Sequence, residues 1–300
     1  ERLEQRVRLL RAVVHRLGGE STHDGHAELA ALVQMLVWLG QLPDRFGSNP
    51  DDGRLGDALV ALVHQPQRVG NVRDILGKLR FLTTAVRDRL SNDTWRIFQR
   101  MQVDGHLAGQ RPALQEVPGV LNTLIVDLAA FSGMEMENMT RGHAWRFLDI
   151  GRRIERGLML VQLWRAALAA GGFTTTVLAP LLEIADSTMT YRRRYFEQMH
   201  LGTVLDLLLA EETNPRSLAF QLESLHEHLD FLPREVEGRG TPEERELMAL
   251  SEALQAVDVP ALAESTEALD ALLARLAEGL CRLSDHLTHH YFSHAVLRAS

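Results

Sequence analysis

Nearly every stretch of this chain repeats its apolar residues at the 3.6-residue spacing of a helix, and almost none alternates them as a half-buried strand does. That regularity sets sheets and barrels aside and predicts an all-α fold. The rhythm places helices near 1–17, 25–41, 54–65, 70–89, 92–103 and 118–137. It resumes near 141–170, 177–199, 202–211, 215–232, 242–257 and 260–292. Several starts have a local cause. Thr241-Pro242-Glu243-Glu244 offers a capping threonine, a proline whose missing N–H is harmless in the first turn, and a glutamate able to reach back to the cap. Asn214-Pro215 repeats the cap-and-proline pattern, and Ser91 before Asn92 is a weaker version of the cap. The breaks are GSNPDDG at 47–53, Asp104-Gly105 through Pro112, Gly171-Gly172, and EGRGTP at 237–242. Connections this short join antiparallel neighbours, so the expected architecture is a multi-helix antiparallel bundle. One echo runs through it: Glu1-Arg2 followed by Val7 and Leu9 recurs as Glu155-Arg156 followed by Val161 and Leu163. A single domain over 1–300 built from two pseudo-repeated halves, 1–137 and 138–300, therefore stays open beside an unrepeated bundle.

Composition narrows the partners. With 45% hydrophobic residues the 300-residue chain can bury a large core, and its leucine and alanine outweigh the 6% of aromatics, as helices favour. A net charge of −8 argues against a nucleic-acid face, which needs clustered cations unopposed by acids. Lys78 is the only lysine, so any anion recognised here must be held by guanidinium groups, which grip carboxylates and phosphates in bidentate fashion. Cys281 stands alone, which rules out a disulfide framework and a cysteine zinc site and fits a reducing compartment. No run approaches 18 uncharged apolar residues, and the opening ERLEQRVRLLRAVVHRL is not a signal peptide. The expectation is a cytoplasmic protein without membrane association. Because that opening is already in helical rhythm and lacks methionine, the chain is expected to be an excerpt of something longer, truncated at its N-terminus.

The densest charge lies where burial is also expected. On a helix over 141–170, Trp145, Leu148, Asp149, Arg152, Arg156, Met159, Leu160 and Leu163 share one stripe, so Asp149, Arg152 and Arg156 continue an apolar face. Asp149 can pair with Arg152 or Arg153, and Glu155 with Arg152. Gly151 should cost about 1 kcal/mol relative to alanine, and close approach by a helix or a ligand would explain it. Two readings stay open. The charges are surface pairs contributing about 0–1 kcal/mol each, or the arginines line an interior polar cavity that needs full pairing or a bound anion. Other stretches are similar. Arg87, Asp88 and Arg89 sit at the end of a helix. Arg192, Arg193 and Arg194 lie between Tyr191 and Tyr195, and at least one of the three is expected to point inward. Arg216 and Ser217 fall in the first turn of a helix, where free amides and the positive dipole end favour an anion. His286, His290 and His294 have i, i+4, i+8 spacing, but no carboxylate-rich metal motif accompanies them, so no metal and no cofactor are expected. No phosphate-cradling loop and no nucleophile elbow is present, and Cys281 has no base placed by sequence.

Taken together, ENMTRGHAWRFLDIGRRIERG, RDRLSNDTW, DSTMTYRRRYF with VLDLLLAEETNPRSLAFQL, and YFSH at 291–294 resemble the bacterial alpha-E domain family over essentially the whole chain. That family usually begins with a further turn or two of helix containing a Gly-Arg pair before the Glu-Arg. The resemblance implies an all-α domain encoded beside, or fused to, a circularly permuted ATP-grasp protein, with a transglutaminase-like protein as a frequent neighbour. ATP-grasp enzymes commonly activate a carboxylate as an acyl phosphate and join it to an amine, so the resemblance implies a system for peptide or amide ligation. The ATP-grasp part itself is absent from these residues. The matching motif positions are Arg87, Asp88, Asn138, Arg141, Asp149, Arg152, Glu155, Arg156, Arg192, Asn214 and Arg216, with Tyr191 joining them beside Arg192. Three functions stay open. The chain is a non-catalytic partner module that holds a carboxylate-bearing peptide in an Arg/Asp/Glu-lined groove. Alternatively, it is an enzyme in which Asp149 or Glu155 acts as acid/base and the arginines stabilise a developing anion. Or it is a scaffold whose charges are internal staples.

Overall fold

The computed structural model describes residues 1–19, 23–50, 52–65, 69–103, 111–196, 198–233 and 240–293. Among these there is no β-strand, and fifteen α-helices follow one another. They begin with α1 (Arg2–Leu17), α2 (His23–Trp38), α3 (Asp44–Ser48), α4 (Leu55–His64) and α5 (Val72–Ala85). Next come α6 (Asn92–Val103), α7 (Val117–Asn138), α8 (His143–Ala169), α9 (Thr175–Ile184) and α10 (Thr188–Tyr195). The last five are α11 (Leu201–Leu205), α12 (Leu218–Leu229), α13 (Pro242–Gln255), α14 (Val259–Glu264) and α15 (Thr266–Phe292). The chain forms two compact units, Glu1–Trp145 with Ala166–Met199, and Arg146–Arg165 with His200–Ser300.

The first unit is organised around α1. Its Leu3, Val7, Leu10 and Val14 repeat every three or four residues, and Leu9, Ala12 and Val13 are buried as well, because α2, α4, α5, α7 and α9 all pack against it. Leu32, Met35, Leu36, Leu59, Leu62, Leu121, Leu181 and Leu182 are fully buried in the same unit. Two arginines of α1 survive there only because they are paired. Buried Arg8 donates to Glu4 at 3.0 Å and to Asp186 at 2.9 Å. Arg16 reaches Glu28 at 2.5 Å and Glu183 at 2.8 Å, which ties α1 to α2 and α9.

In the second unit α13 and α15 run antiparallel: Glu243 meets His290 near one end, and Glu246 meets Arg282 further along. The capping box expected at Thr241 is present, with the Thr241 hydroxyl accepting from the Glu244 amide and the Glu244 carboxylate accepting from the Thr241 amide. α8 contributes its central residues, and a Cβ added at Gly157 would lie 3.1 Å from Leu280 and 3.2 Å from Leu218.

Several expected elements change. The helix expected over 177–199 is two, because Asp186 adopts φ 54 and breaks the ladder between α9 and α10. That over 260–292 divides at Ser265, whose hydroxyl accepts from the Ala268 amide and starts α15 afresh. The helix over 70–89 ends at Ala85 and tightens into a 3₁₀ turn at Arg87–Arg89, and 202–211 closes in a π turn at Asp206–Ala210. The expected loop residues 51, 104–110 and 237–239, and His294, lie outside the described residues. The stretch Leu114–Asn138 has no run of 18 uncharged apolar residues, because Asp127 interrupts it, yet it stands apart by composition. It is long and apolar enough to cross a membrane, at mean hydropathy 1.4, because Asp127 is the only charge over most of its length. Here α7 packs against α1 and α6 and buries Asp127.

Gly151 was the expected point of close approach, and it is not. It is exposed, and an added Cβ would meet nothing within 4 Å. The tight approach comes at Gly157, six residues further on. Gly151→Ala is therefore expected to raise stability by about 1 kcal/mol through helix propensity, while Gly157→Ala lowers it by about 1–3 kcal/mol through overpacking. Urea midpoints of the two variants check this; equal shifts in one direction would contradict it.

Candidate functional site

The charged half of α8 is an interior network within the second unit. Asp149 is 2% exposed. Its Oδ2 accepts from Arg153 Nε at 3.1 Å, and its Oδ1 lies 3.7 Å from Arg152 Nη1. These are the i+3 and i+4 partners expected from helical spacing. The third partner comes from α12: His228 Nε2 lies 2.7 Å from Asp149 Oδ2. On the other side of the ring, Arg146 Nη1 is 3.4 Å from His228 Nδ1. A guanidinium only donates, so Nδ1 accepts, and Nε2–H is the proton directed at Asp149. Arg153 also donates to the fully buried Gln221 at 3.3 Å, and Gln221 in turn donates to the Pro215 and Ser217 carbonyls. Burial by itself would raise the Asp149 carboxyl. The His228 hydrogen bond and the charges of Arg153 and Arg152 outweigh it and bring it down from 3.8 to about 2.

The remaining expected residues of that unit serve the turn before α12. Asn214 is buried, donating to the Leu207 carbonyl at 2.9 Å and accepting from the Arg216 amide at 3.1 Å. Arg156 donates to the Pro215 carbonyl at 3.3 Å. Arg216 precedes the helix rather than opening it, because Ser217 is the N-cap and its hydroxyl already accepts from the Phe220 amide. The anion site expected in that first turn is thus partly filled by the chain itself. Glu155 is half-buried.

The other expected residues fall in the first unit. Tyr191 is buried, with its hydroxyl 3.5 Å from the Gln198 carbonyl. Arg192, Arg193 and Arg194 are all exposed, against the expectation that one points inward. Tyr191 is the only buried residue of the eight-residue α10, so the short helix uses its single inward position for a ring. Arg87 donates to the Leu90 carbonyl and to Asn92 Oδ1 at 2.7 Å and lies over the Trp95 ring, while Asp88 is exposed. Arg141 donates to the Met136 carbonyl at 2.5 Å and stacks on Trp145, with its guanidinium carbon 4.2 Å from the ring centroid.

Two of the motif stretches meet. The end of RDRLSNDTW and the start of ENMTRGHAW wall one cavity of about 270 Å³, through Arg89, Leu90, Ser91 and Thr94 on one side and Asn138, Met139, Thr140 and Ala144 on the other, with Phe131 and Glu135 of α7 between them. The α6–α7 seam that builds it is antiparallel, with Arg100 bonded to Asp127 and Phe98 4.8 Å from Phe131. Glu135 is 1% exposed. Like Asp149, it is a carboxylate on an apolar stripe, one turn beyond Phe131, and that spacing was available in the sequence. His228 had no such signal, since nothing local marks a partner 79 positions away. Among the described residues no group of three histidine, cysteine or carboxylate side chains is placed to hold a metal; His290 instead bonds Glu243.

A family model described as a predicted alpha-helical domain with a conserved ER motif matches residues 1–292. Glu-Arg occurs here at Glu1-Arg2, Glu155-Arg156 and Glu244-Arg245. The chain is similar to an uncharacterized protein of Mycobacterium bovis, 32% identical over 231 residues, which is 74% of this chain and 26% of that protein. Uncharacterized proteins from two strains of Mycobacterium tuberculosis match with the same identity and coverage. The match thus spans about a quarter of the length of these curated relatives. No solved structure matches the chain. The chain belongs to the Alpha-E family.

Proposed function

We propose that this chain is the substrate-holding helical module of an ATP-grasp-type ligase system that forms peptide or amide bonds in the bacterial cytoplasm, with a transglutaminase-like protein acting in the same system. The observation that carries this reading is the cavity between α6 and α7, where two motif stretches distant in sequence supply a guanidinium, hydroxyls and an amide to one small space that Phe131 and Glu135 of α7 also line. The relatives add support, because in them the matched stretch is one part of a much longer chain. The partner phosphorylates a carboxylate from ATP, an amine attacks the acyl phosphate, and phosphate leaves; this chain presents one of the two reactants. The charged half of α8 takes the stapling role instead. Its Asp149 carboxyl at about 2 is a poor general base at neutral pH, which weighs against the acid/base reading for that residue.

The test is association. The purified chain and the ATP-grasp protein encoded beside it are expected to co-elute as a stoichiometric complex in size-exclusion chromatography with light scattering. Failure to associate both with and without magnesium and a non-hydrolysable ATP analogue overturns the proposal.

A further inference from the structure

Helix α5 is apolar on two sides. Val72, Leu76 and Thr83 are buried where it packs against α1, α4 and α6. On its outer side Phe81 is 75% exposed and Leu82 57% exposed. A lone exposed leucine is ordinary, whereas an apolar cluster rimmed by charge marks an interaction surface.

An open groove of about 630 Å³ runs along that outer side, lined by Arg73, Asp74, Gly77, Lys78, Phe81 and Leu82. These six form two rows at four-residue spacing, Arg73-Gly77-Phe81 and Asp74-Lys78-Leu82. The furrow between two such rows is what the side-chain ridge of another helix fills. Glycine weakens a helix interior, and the use of Gly77 does not lie inside the fold, since an added Cβ would meet nothing within 4 Å. It leaves the backbone open to close approach from outside.

The groove is basic in an acidic chain. Residues 72–89 hold Arg73, Lys78, Arg80, Arg87 and Arg89 against Asp74 and Asp88, whereas the chain as a whole carries −8. Asp74 is taken up by Lys78 at 2.8 Å. Arg73 and Arg80 lie along one flank of the Gly77-Phe81 row, and among the described residues no ion pair engages either of them. Arg73 donates to the His64 carbonyl at 3.2 Å, which places its guanidinium without neutralising it.

We propose that this face of α5 docks an acidic amphipathic helix of the ATP-grasp partner, laid in the groove over Gly77. Its apolar ridge meets Phe81 and Leu82, and carboxylates on its flank reach Arg73 and Arg80. The assignment rests on the module reading and names the surface through which the module is held.

The experiment is isothermal titration calorimetry of the whole chain with the purified ATP-grasp protein encoded beside it. Phe81→Asp, Gly77→Leu and the double variant Arg73→Glu with Arg80→Glu are each expected to weaken association about tenfold or more, the effect of losing a central contact. Gly77→Leu separates binding from folding, because a side chain there meets only open space and leucine favours the helix; its thermal midpoint should not fall. Raising the salt concentration should weaken the wild type more than the charge-reversed variant, as screening of the lost ion pairs requires. Val126→Asp, at an exposed apolar position of α7, should bind as the wild type does. The occupant is checked by replacing Phe81 with photoreactive benzoylphenylalanine and mapping the cross-link in the purified complex, which should fall on an acidic amphipathic segment. A cross-link to a basic segment or to a second copy of this chain overturns the assignment. Wild-type affinity in both Phe81→Asp and Gly77→Leu overturns the α5 surface and leaves the module reading standing. Absence of any association by the wild type overturns the module reading and this occupant with it.

Discussion

Asp149→Asn is expected to lower folding stability by about 3 kcal/mol at neutral pH. The carboxylate is 2% exposed and is shared by Arg152, Arg153 and His228, so an isosteric amide removes the charge that two guanidiniums and an imidazole proton were placed to meet. Breaking a buried pair from one side commonly costs about 3–5 kcal/mol, because the partners remain in place without their counter-charge. A pH dependence accompanies the loss. The carboxyl titrates at about 2 in the folded chain against 3.8 in the unfolded one. Its folded value is depressed, so its contribution is complete above about pH 4 and disappears as pH falls through the interval towards 2. The shift corresponds to about 2 kcal/mol. Urea unfolding at pH 7 and at pH 3 should therefore show a gap between wild type and variant that narrows at the lower pH. An equal gap at both would mean that the amide acts through packing and that the ionic account is wrong.

That residue also shows where sequence reasoning stopped. The stripe joining Asp149 to Trp145 and Leu160 is a property of helical geometry, and so are the Arg152 and Arg153 partners one turn away. All three could be read without coordinates. His228 could not, because its place opposite Asp149 depends on how α12 packs on α8. The same limit separates the two walls of the α6–α7 cavity: both motifs stood out, but only the antiparallel seam through Phe98 and Phe131 brings Arg89 and Asn138 to one space. Local rules failed where the backbone departs from regular helix. Asp186 at φ 54 ends α9 without a glycine or a proline, and Ser265 restarts a helix inside an unbroken apolar rhythm. Arg192, Arg193 and Arg194 misled for a different reason. Charge density suggested a site, yet a two-turn helix has little inward face to offer, and Tyr191 takes it.

The apolar half of α8 should respond quite differently from its charged half. Trp164 is fully buried, and Val161 and Leu163 beside it are 0% and 1% exposed. Trp164→Ala removes an entire indole from a packed interior, for which transfer and cavity terms together cost about 3–5 kcal/mol. Trp164→Phe, which keeps most of the ring volume, should cost much less. No titrating group is lost, so the destabilisation should be the same at pH 7 and pH 3, in contrast to Asp149→Asn. If Trp164→Ala instead loses under about 1 kcal/mol, its surroundings must collapse into the space, which close-packed interiors do only partly. The pair of variants thus separates two ways of burying one helix. Near Trp164 burial is stabilised by removing apolar surface from water, and near Asp149 it is tolerated because the carboxylate faces Arg152, Arg153 and His228. A helix satisfied internally at both ends leaves ligand recognition to other surfaces, and the cavity walled by two motif stretches at the end of α7 is one of them.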